Sequence, residues 1–308
     1  MVLIEEIVRH RSMVVADAAA EVRGAISSAS LTPAYQAALV DTLSVPGRVL
    51  SDVPDARWTQ TVATCCTASG GRYDQAVVAA ASIELFMVAL DVLDDLEDGE
   101  ETALQSRLGS PRLINVSTGL LLLAQQMLLT MPRGADALTV LLQFTLRACA
   151  GQDVDLAGGV NRSLSLEESL DVTERKSAAL VAAACQIGAL CGGADTGLQS
   201  VYSEFGGYMG MVAQLINDLQ AIGPGAESKT DIALGRPTLP LTYAAQFMPH
   251  ALDEIGDKER RIALTTQGAA QLTWAVAESF RQRAIALIPH LSSDPSHQAD
   301  LTDLLPTL

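Results

Sequence analysis

Positive charge is scarce in this sequence. Its 308 residues include 20 Lys and Arg against 36 Asp and Glu, which leaves a formal net charge of -16. Proteins bind a nucleic-acid backbone mainly through clustered cations, and no cluster of Lys and Arg occurs along the chain. We therefore expect no nucleic-acid partner.

Cysteine is also sparse, and its spacing excludes a structural zinc site. The five cysteines have no zinc-type spacing, and no nearby histidine could complete a ligand set. They lie mostly within apolar helical patterns, at Cys65, Cys66, Cys149, Cys185 and Cys191. We expect reduced thiols in the core, as is typical of a cytoplasmic protein.

Long uninterrupted apolar runs are missing too. The two longest apolar stretches, at 76–90 and 118–131, are interrupted by Glu84 and by the pair Gln125 and Gln126. Neither reaches the roughly 18 clean apolar residues that a membrane helix needs. The first thirteen residues carry too much charge for a signal peptide. We expect no membrane span.

Strand patterns do not persist anywhere, whereas helical periodicity fills the chain. Apolar residues recur three and four positions apart, and Gly and Pro collect at the breaks. Helices are predicted over 3–29, 34–44, 55–69, 75–98, 112–130, 135–156, 166–190, 197–222, 238–249 and 258–288. The sequence thus predicts an all-α fold, with one domain of long helices over 1–290 and a loose C-terminal tail over 291–308.

A dense group of carboxylates ends the apolar helix predicted over 75–98. In a helix, Asp91, Asp94, Asp95 and Asp98 stand three and four residues apart, so they lie on one face. Mutual repulsion and the helix dipole both disfavour this arrangement. Two interpretations remain: a hard divalent cation such as Mg²⁺ that the carboxylates bind, or a solvated acidic helix end.

A second polar group lies on the apolar helix predicted over 197–222. This helix carries Gln214, Asn217 and Asp218 on its polar edge, and the adjacent Asn and Asp again offer oxygen ligands to a metal. Arg175 and Lys176 lie at the edge of an Ala-rich helix. Cations near two clusters of oxygen ligands suit a diphosphate that is bridged by metal ions.

These segments resemble the trans-prenyltransferase (polyprenyl synthetase) family, which has the class I isoprenoid synthase fold. The resemblance covers about residues 55–245, with the motifs in the family's order. The matching segments are "DDLED" at 94–98, "GQDVDL" at 151–156, "KSAAL" at 176–180, "QLINDL" at 214–219 and "GRPTLPLTYA" at 235–244. They are similar to the first aspartate-rich motif, to GQ-x-x-D-L, to KT-x-x-L, to the second aspartate-rich motif and to GK-x-T-L-P, respectively.

The resemblance implies a helical bundle around a deep apolar pocket, with the two aspartate motifs facing each other at its mouth. The implied metal ligands are Asp94, Asp95, Asp98, Asn217 and Asp218, which would hold three Mg²⁺ ions once diphosphate is bound. The implied diphosphate-binding residues are Lys176 and Gln214, joined on closure by Lys229 and Arg236. Catalysis would then depend on Asp94, Asp95, Asp98 and Lys176. We also expect a homodimer.

Two carboxylates in the "GQDVDL" segment keep two interpretations. Asp153 and Asp155 either face the cavity or have a structural role near the end of their helix. The sequence alone favours neither interpretation.

The basic stretches with which the family grips isopentenyl diphosphate are missing. The expected place reads "VPDARWT" and retains only Arg57, while "VPGR" at 45–48 is a displaced echo. The Arg pair expected shortly after the first motif is reduced to Arg107, and Ala221 stands where a third Asp of the second motif is usual. Ordinary chain elongation is therefore disfavoured.

Three classes of function remain. In the first, the protein transfers an allylic prenyl group to an acceptor other than isopentenyl diphosphate, such as an aromatic ring or a glycolipid. In the second, it is a terpene synthase that cyclises the allylic diphosphate. In the third, it is an elongating synthase or a weak regulatory subunit of one. Aromatic residues make up only 4%, which leaves few rings to stabilise a migrating carbocation. The intact first motif disfavours an inactive subunit, so transfer to an acceptor leads.

The helix that carries the first motif also predicts the length of the prenyl chain. We expect Ala89 and Leu90, and then Phe86, to line the pocket one and two turns before Asp94. In the family, a large residue near the position of Ala89 closes the pocket early. The small Ala89 therefore implies a floor nearer Phe86 and a fifteen- or twenty-carbon allylic substrate.

Overall fold

The structure is a computed structural model that describes residues 2–158, 164–223, 236–248 and 256–308. Side chains are described from residue 13 onward, except that of residue 257. Helices account for most of these residues, and the described ranges contain no β-strand beyond an isolated bridge between Gly47 and Pro54. The all-α prediction is confirmed.

The helices fall into two compact units, and the prediction of one domain over 1–290 stays a prediction. The first unit comprises Met1–Val140 with Ala184–Gln199, and the second comprises Leu141–Ala183 with Ser200–Leu308. Helices α1 to α6 span Val2–Ser28, Pro33–Leu43, Arg57–Ala68, Val77–Glu97, Ala103–Leu108 and Ser110–Thr130, and α7 spans Gly134–Gly158. Helices α8 to α10 span Leu166–Thr173, Ala179–Cys191 and Thr196–Ile222, and α11 to α14 span Leu239–Phe247, Asp257–Thr266, Ala269–Leu291 and Pro295–Asp303.

Helix α4 is the central helix of the first unit, and all residues over 79–89 are buried. It packs along α6, where the Ser82 hydroxyl donates to the carbonyl oxygen of Ala124 at 2.6 Å. Further along α4, Val92 packs with Leu113 of α6. The residue number rises on α4 as it falls on α6, so the two helices are antiparallel. The acidic group therefore stands at the end of a firmly packed helix.

Glu84 joins α4 to the beginning of α3. Its Oε1 accepts from the Thr59 N–H at 2.9 Å and from the Thr59 hydroxyl at 2.8 Å. Burial raises the pKa of the Glu84 carboxyl, and the bonds from Thr59 act in the opposite direction. Ala56, at the N-cap of α3, gives no side-chain cap. Glu84 therefore satisfies an N-terminal N–H of α3 from a neighbouring helix.

Helix α6 is the one helix in the described part that is long and apolar enough to cross a membrane. It has 21 residues, and an 18-residue stretch of it has a mean hydropathy of 1.4. A helix over 112–130 was predicted here, and Gln125 and Gln126 lie within it, so the expectation of no membrane span stays a prediction. Within the first unit, however, α6 buries Leu120 and Leu128 completely. A buried core helix passes the same test of length and composition, and this packing favours that interpretation.

The end of the second unit differs from the prediction in two places. The helix predicted over 258–288 is two helices, because Gly268 has a φ of +105°, a left-handed conformation that glycine adopts readily. The predicted loose tail contains α14, which begins where the Asp294 carboxylate accepts from the Ser296 N–H at 2.8 Å. Leu301 of α14 is fully buried. An acidic N-cap followed by Pro295 is a regular helix start that the sequence analysis missed.

Candidate active site

The structure places the acidic group on one face of α4, as its spacing predicts. Asp98 is the C-cap residue, yet its N–H still donates to the carbonyl oxygen of Asp94 at 2.9 Å. Asp91 is exposed as a residue, but protein atoms lie close around its carboxyl group. The resulting loss of hydration raises the pKa of this carboxyl to about 6. The charges of Asp95 and Asp94 raise that pKa further, while Arg48 lowers it. The carboxylates are therefore close enough to repel one another.

Arg48 is a residue of this site that the sequence analysis set aside. Its guanidinium donates to the carbonyl oxygen of Thr42 at 2.9 Å. Burial lowers the pKa of Arg48, and the charges of Asp91 and Asp95 raise it. The arginine of "VPGR" thus lies against the acidic group, although its place in the sequence gave only a weak signal.

The donor set at the end of α4 fits a hard divalent cation. Asp94, Asp95 and Asp98 offer carboxylate oxygens, the ligands that Mg²⁺ prefers, and the repulsion that raises the pKa of Asp91 would be relieved by a cation. Across the described ranges, no three His, Cys, Asp or Glu side chains are arranged to hold a metal ion. Binding therefore requires the aspartate side chains to turn toward the ion.

The structure separates the three residues expected to line the pocket beneath Asp94. Leu90 lies one turn before Asp94 on nearly the same face and is partly exposed. Phe86 and Ala89 follow Ser82 by four and seven residues, so they share its α6-facing side. Both are buried there. Leu90 is thus the residue directly beneath Asp94, and the pocket-lining role of all three stays a prediction.

A π-helical turn over Glu174–Ala178 interrupts the helix predicted over 166–190. Two glycines of neighbouring helices make room for it. A Cβ on Gly151 of α7 would lie 2.5 Å from the backbone nitrogen of Lys176. A Cβ on Gly210 of α10 would lie 2.6 Å from the Cα of Ala178. Turns of this type often occur at functional sites. The backbone around Lys176 is thus fixed by close contacts from two helices.

Replacing Gly151 by Ala is expected to lower the free energy of unfolding by about 2 kcal/mol, because the backbone of Lys176 must move away from the new methyl group. The same shift should lower activity. Gly207→Ala on α10 is the matched control, since nothing lies within 4 Å of its Cβ position. Urea denaturation of both variants checks this, and equal stabilities would contradict the role given to Gly151.

Asp155 holds two cations in the second unit. Its Oδ2 lies 2.7 Å from the Lys176 Nζ and 3.8 Å from the Arg236 guanidinium, which also donates to the Asp155 carbonyl oxygen at 3.2 Å. Arg236 and Asp155 are buried, whereas Asp153 is exposed. Two interpretations were left open for these carboxylates, a place facing the cavity and a structural role. Asp155 lies with the cations that are predicted to bind diphosphate, whereas Asp153 lies at the surface.

Gln214 connects the π-turn to the second acidic motif. Its Oε1 accepts from the Ser177 hydroxyl at 3.0 Å, and its Nε2 donates to the Asp218 carboxylate at 3.0 Å. Asp218 is buried and Asn217 is exposed. Lys229, the remaining predicted diphosphate ligand, lies outside the described residues. The second unit thus brings Gln214 and Asp218 together, and separately Lys176 and Arg236.

The chain is all-α, with an acidic helix end in one unit and, in the other, a buried Arg236 and a half-buried Lys176 beside Asp155. A sequence profile described as polyprenyl synthetase matches residues 56–267, more than half of the chain. The chain therefore belongs to the polyprenyl synthetase family. It is a prenyltransferase that releases diphosphate, and its family uses divalent metal.

Two curated relatives and one solved structure show the range of similarity. A (2E,6E)-farnesyl diphosphate synthase of Mycobacterium tuberculosis is 27% identical over 265 residues, covering 77% of this chain and 74% of the relative. The tryptophan prenyltransferase ComQ of Bacillus subtilis is 24% identical over 241 residues, covering 73% and 78%. A polyprenyl synthase from Caulobacter crescentus, solved with calcium and isoprenyl diphosphate, superposes with a TM-score of 0.82 at 22% identity. The match covers 97% of this chain and 95% of that structure.

Proposed function

We propose that the protein ionises an allylic prenyl diphosphate of fifteen or twenty carbons in a Mg²⁺-dependent reaction, and transfers the prenyl group to an acceptor other than isopentenyl diphosphate. One observation carries the proposal. The acidic group on α4 keeps all of its carboxylates, and Arg48, a described cation beside it, already lies near Asp91 and Asp95, whose charges raise its pKa. The site keeps ligands for ionising one diphosphate and offers little positive charge for a second.

The residues around Asp94 in the first unit and those around Asp218 in the second would each hold Mg²⁺, with three ions expected in all from the family resemblance. The bound ions supply positive charge that stabilises the leaving diphosphate. Lys176 and Arg236 add cationic donors, which form shorter and stronger hydrogen bonds to phosphate oxygens than neutral donors do. Gln214 orients the Asp218 carboxylate through its bond at 3.0 Å. Asp155 keeps the two cations together until diphosphate arrives.

Transfer to an acceptor of another kind has a precedent among the relatives. ComQ is named as a tryptophan prenyltransferase, and it matches this chain over 73% of its length. The farnesyl diphosphate synthase matches it over a similar length. The choice between a non-diphosphate acceptor and isopentenyl diphosphate rests on the missing basic stretches, which favour an acceptor without a diphosphate.

Incubation of the pure protein with Mg²⁺ and ten-, fifteen- and twenty-carbon allylic diphosphates tests the proposal. Each substrate is supplied with and without isopentenyl diphosphate, and both organic and aqueous products are analysed. We expect diphosphate release that does not depend on isopentenyl diphosphate, and no longer prenyl diphosphates. Efficient elongation would overturn the proposal, and hydrocarbon products from the allylic diphosphate alone would identify a cyclase instead.

Replacing Ala89 by Phe is expected to shift the substrate preference toward the ten-carbon diphosphate by about tenfold, since it fills space that a longer chain would occupy. Ala89→Val should give an intermediate shift. Steady-state kinetics with the three substrates measures the preference. Ala89 packs toward α6, so the melting temperature is recorded in parallel. A lower melting temperature with an unchanged preference would show that Ala89 serves only in packing.

We further propose a cytoplasmic homodimer that associates through the exposed side of α6. No charged residue occurs over 113–131, and Ile114, Leu122 and Leu129 on this helix are each more than half exposed. Two chains with a net charge of -16 repel each other least where they meet on an uncharged surface. Leu122→Asp should therefore give a monomer in light scattering, and an unchanged mass would contradict this surface.

A further inference from the structure

A cleft of about 150 Å³ opens beside the acidic group in the first unit. Val92 and Leu96 of α4, Leu104 of α5 and Leu113 of α6 form its apolar wall. Asp95, on the helix that carries the first aspartate motif, also lines the cleft. A cavity of this volume holds a single aromatic ring. The cleft therefore has the size and the apolar surface for a ring placed next to the prenyl-activating motif.

The polar atoms of the cleft favour a ligand that donates hydrogen bonds. Asp95 and Glu100 contribute carboxylates, and among the described residues that line the cleft Arg48 is the one cation. The charge of Arg48 is already matched by Asp91 and Asp95, so the cleft has no surplus positive charge with which to bind a diphosphate.

Gln105 supplies the most specific feature of the cleft. Its Nε2 donates to the Ser110 hydroxyl at 3.2 Å. Its Oε1 is buried and accepts no hydrogen bond from any residue that the structure describes. A buried acceptor without a donor is unfavourable, so a ligand N–H or O–H that reached this oxygen would gain from the contact.

We propose that this cleft binds the acceptor of the prenyl group, and that the acceptor is an uncharged aromatic ring with an N–H donor. The ring lies on the apolar wall, and its N–H donates to Gln105 Oε1 once the half-buried Gln105 side chain turns this oxygen toward the cleft. In the transfer, the allylic C1–O bond breaks and its electron pair leaves with diphosphate. The ring supplies the pair for the new bond to C1, and the proton that the ring loses passes to the released diphosphate.

Indole is the first probe, and a short peptide with one tryptophan is the second. Binding of each to the wild-type protein is measured by calorimetry, without any prenyl diphosphate. Indole alone, indole in a peptide, or both can supply the proposed chemistry, and the two titrations distinguish these sources. Failure of both probes to bind at millimolar concentration would overturn the proposal.

Three variants of α5 locate the binding site. Gln105→Leu removes the acceptor and should weaken binding of the probe about tenfold. Ala103→Arg, at an exposed position in the lining, should weaken it by a similar factor and strengthen binding of isopentenyl diphosphate. Ser106→Leu is the matched control, because Ser106 is exposed and lies outside the lining. Equal affinities in Gln105→Leu and Ser106→Leu would overturn the assignment.

This inference rests on the proposed function, and its failure can be told apart from that of the proposed function. Mg²⁺-dependent release of diphosphate from farnesyl diphosphate, measured on the wild-type protein without acceptor, tests ionisation alone. Diphosphate release without binding of either probe would overturn only the acceptor site. Tighter binding of isopentenyl diphosphate than of indole to the wild-type protein would also overturn it, since the cleft would then be a diphosphate site.

Discussion

Replacing Asp94 by Asn is expected to lower the rate of Mg²⁺-dependent diphosphate release by about a thousandfold. Asn keeps the shape of the side chain but removes the charge that a divalent cation needs at the end of α4. The fold should persist, because Asp94 is one of several carboxylates that repel each other. Its loss is expected to leave the melting temperature unchanged or slightly higher. Asp95→Asn and Asp98→Asn should act in the same direction.

Glu101→Gln is the control for this series. Glu101 is an exposed acidic residue shortly after α4, so the substitution changes the net charge by the same amount away from the acidic face. A coupled assay of released diphosphate, with and without EDTA, measures the effect. Rates that survive both EDTA and Asp94→Asn would show that the acidic group does not bind a metal needed for catalysis.

The acidic group could be predicted from the sequence because helical spacing is a local property. Once the segment over 75–98 is helical, Asp91, Asp94, Asp95 and Asp98 must share a face. The same spacing distinguishes Ala89 from Leu90, although the pocket-lining role of both stays a prediction. Five residues turn an α-helix by about 500°, which carries Ala89 well away from the face of Asp94. Four residues nearly complete a turn, so Leu90 lies beneath Asp94.

Arg48 and Asp155 illustrate what the sequence could not show. Arg48 acts on Asp91 and Asp95, which are more than forty residues away in the chain, and only packing brings them together. Asp155 and Lys176 are likewise joined by the approach of α7 to the π-turn. A usable signal did exist in the glycines inside helical patterns. Gly151 and Gly210 are unfavourable in helix interiors unless close contact requires them.

The short helix α5 was missed for a different reason. It spans only Ala103–Leu108, too short for apolar periodicity to reveal it. Its start did carry a signal, since the Thr102 hydroxyl accepts from the Gln105 N–H at 3.1 Å as an N-cap. This helix supplies Leu104 and Gln105 to the cleft. The region where the basic pair of the family is absent is therefore an ordered helix that forms part of the wall of the cleft.

Replacing Lys176 by Gln is expected to lower kcat/KM for the allylic diphosphate by about a hundredfold, because the substrate loses a cationic donor to its phosphate oxygens. In the free protein, the Lys176 Nζ lies 2.7 Å from the Asp155 carboxylate, which holds it beside Arg236. Arg175→Gln is the matched control, since this neighbouring cation is exposed and pairs with Asp171 at 2.9 Å on the surface. Steady-state kinetics on both variants measures the difference. Similar losses in the two variants would indicate a general effect of net charge and would contradict a specific role for Lys176.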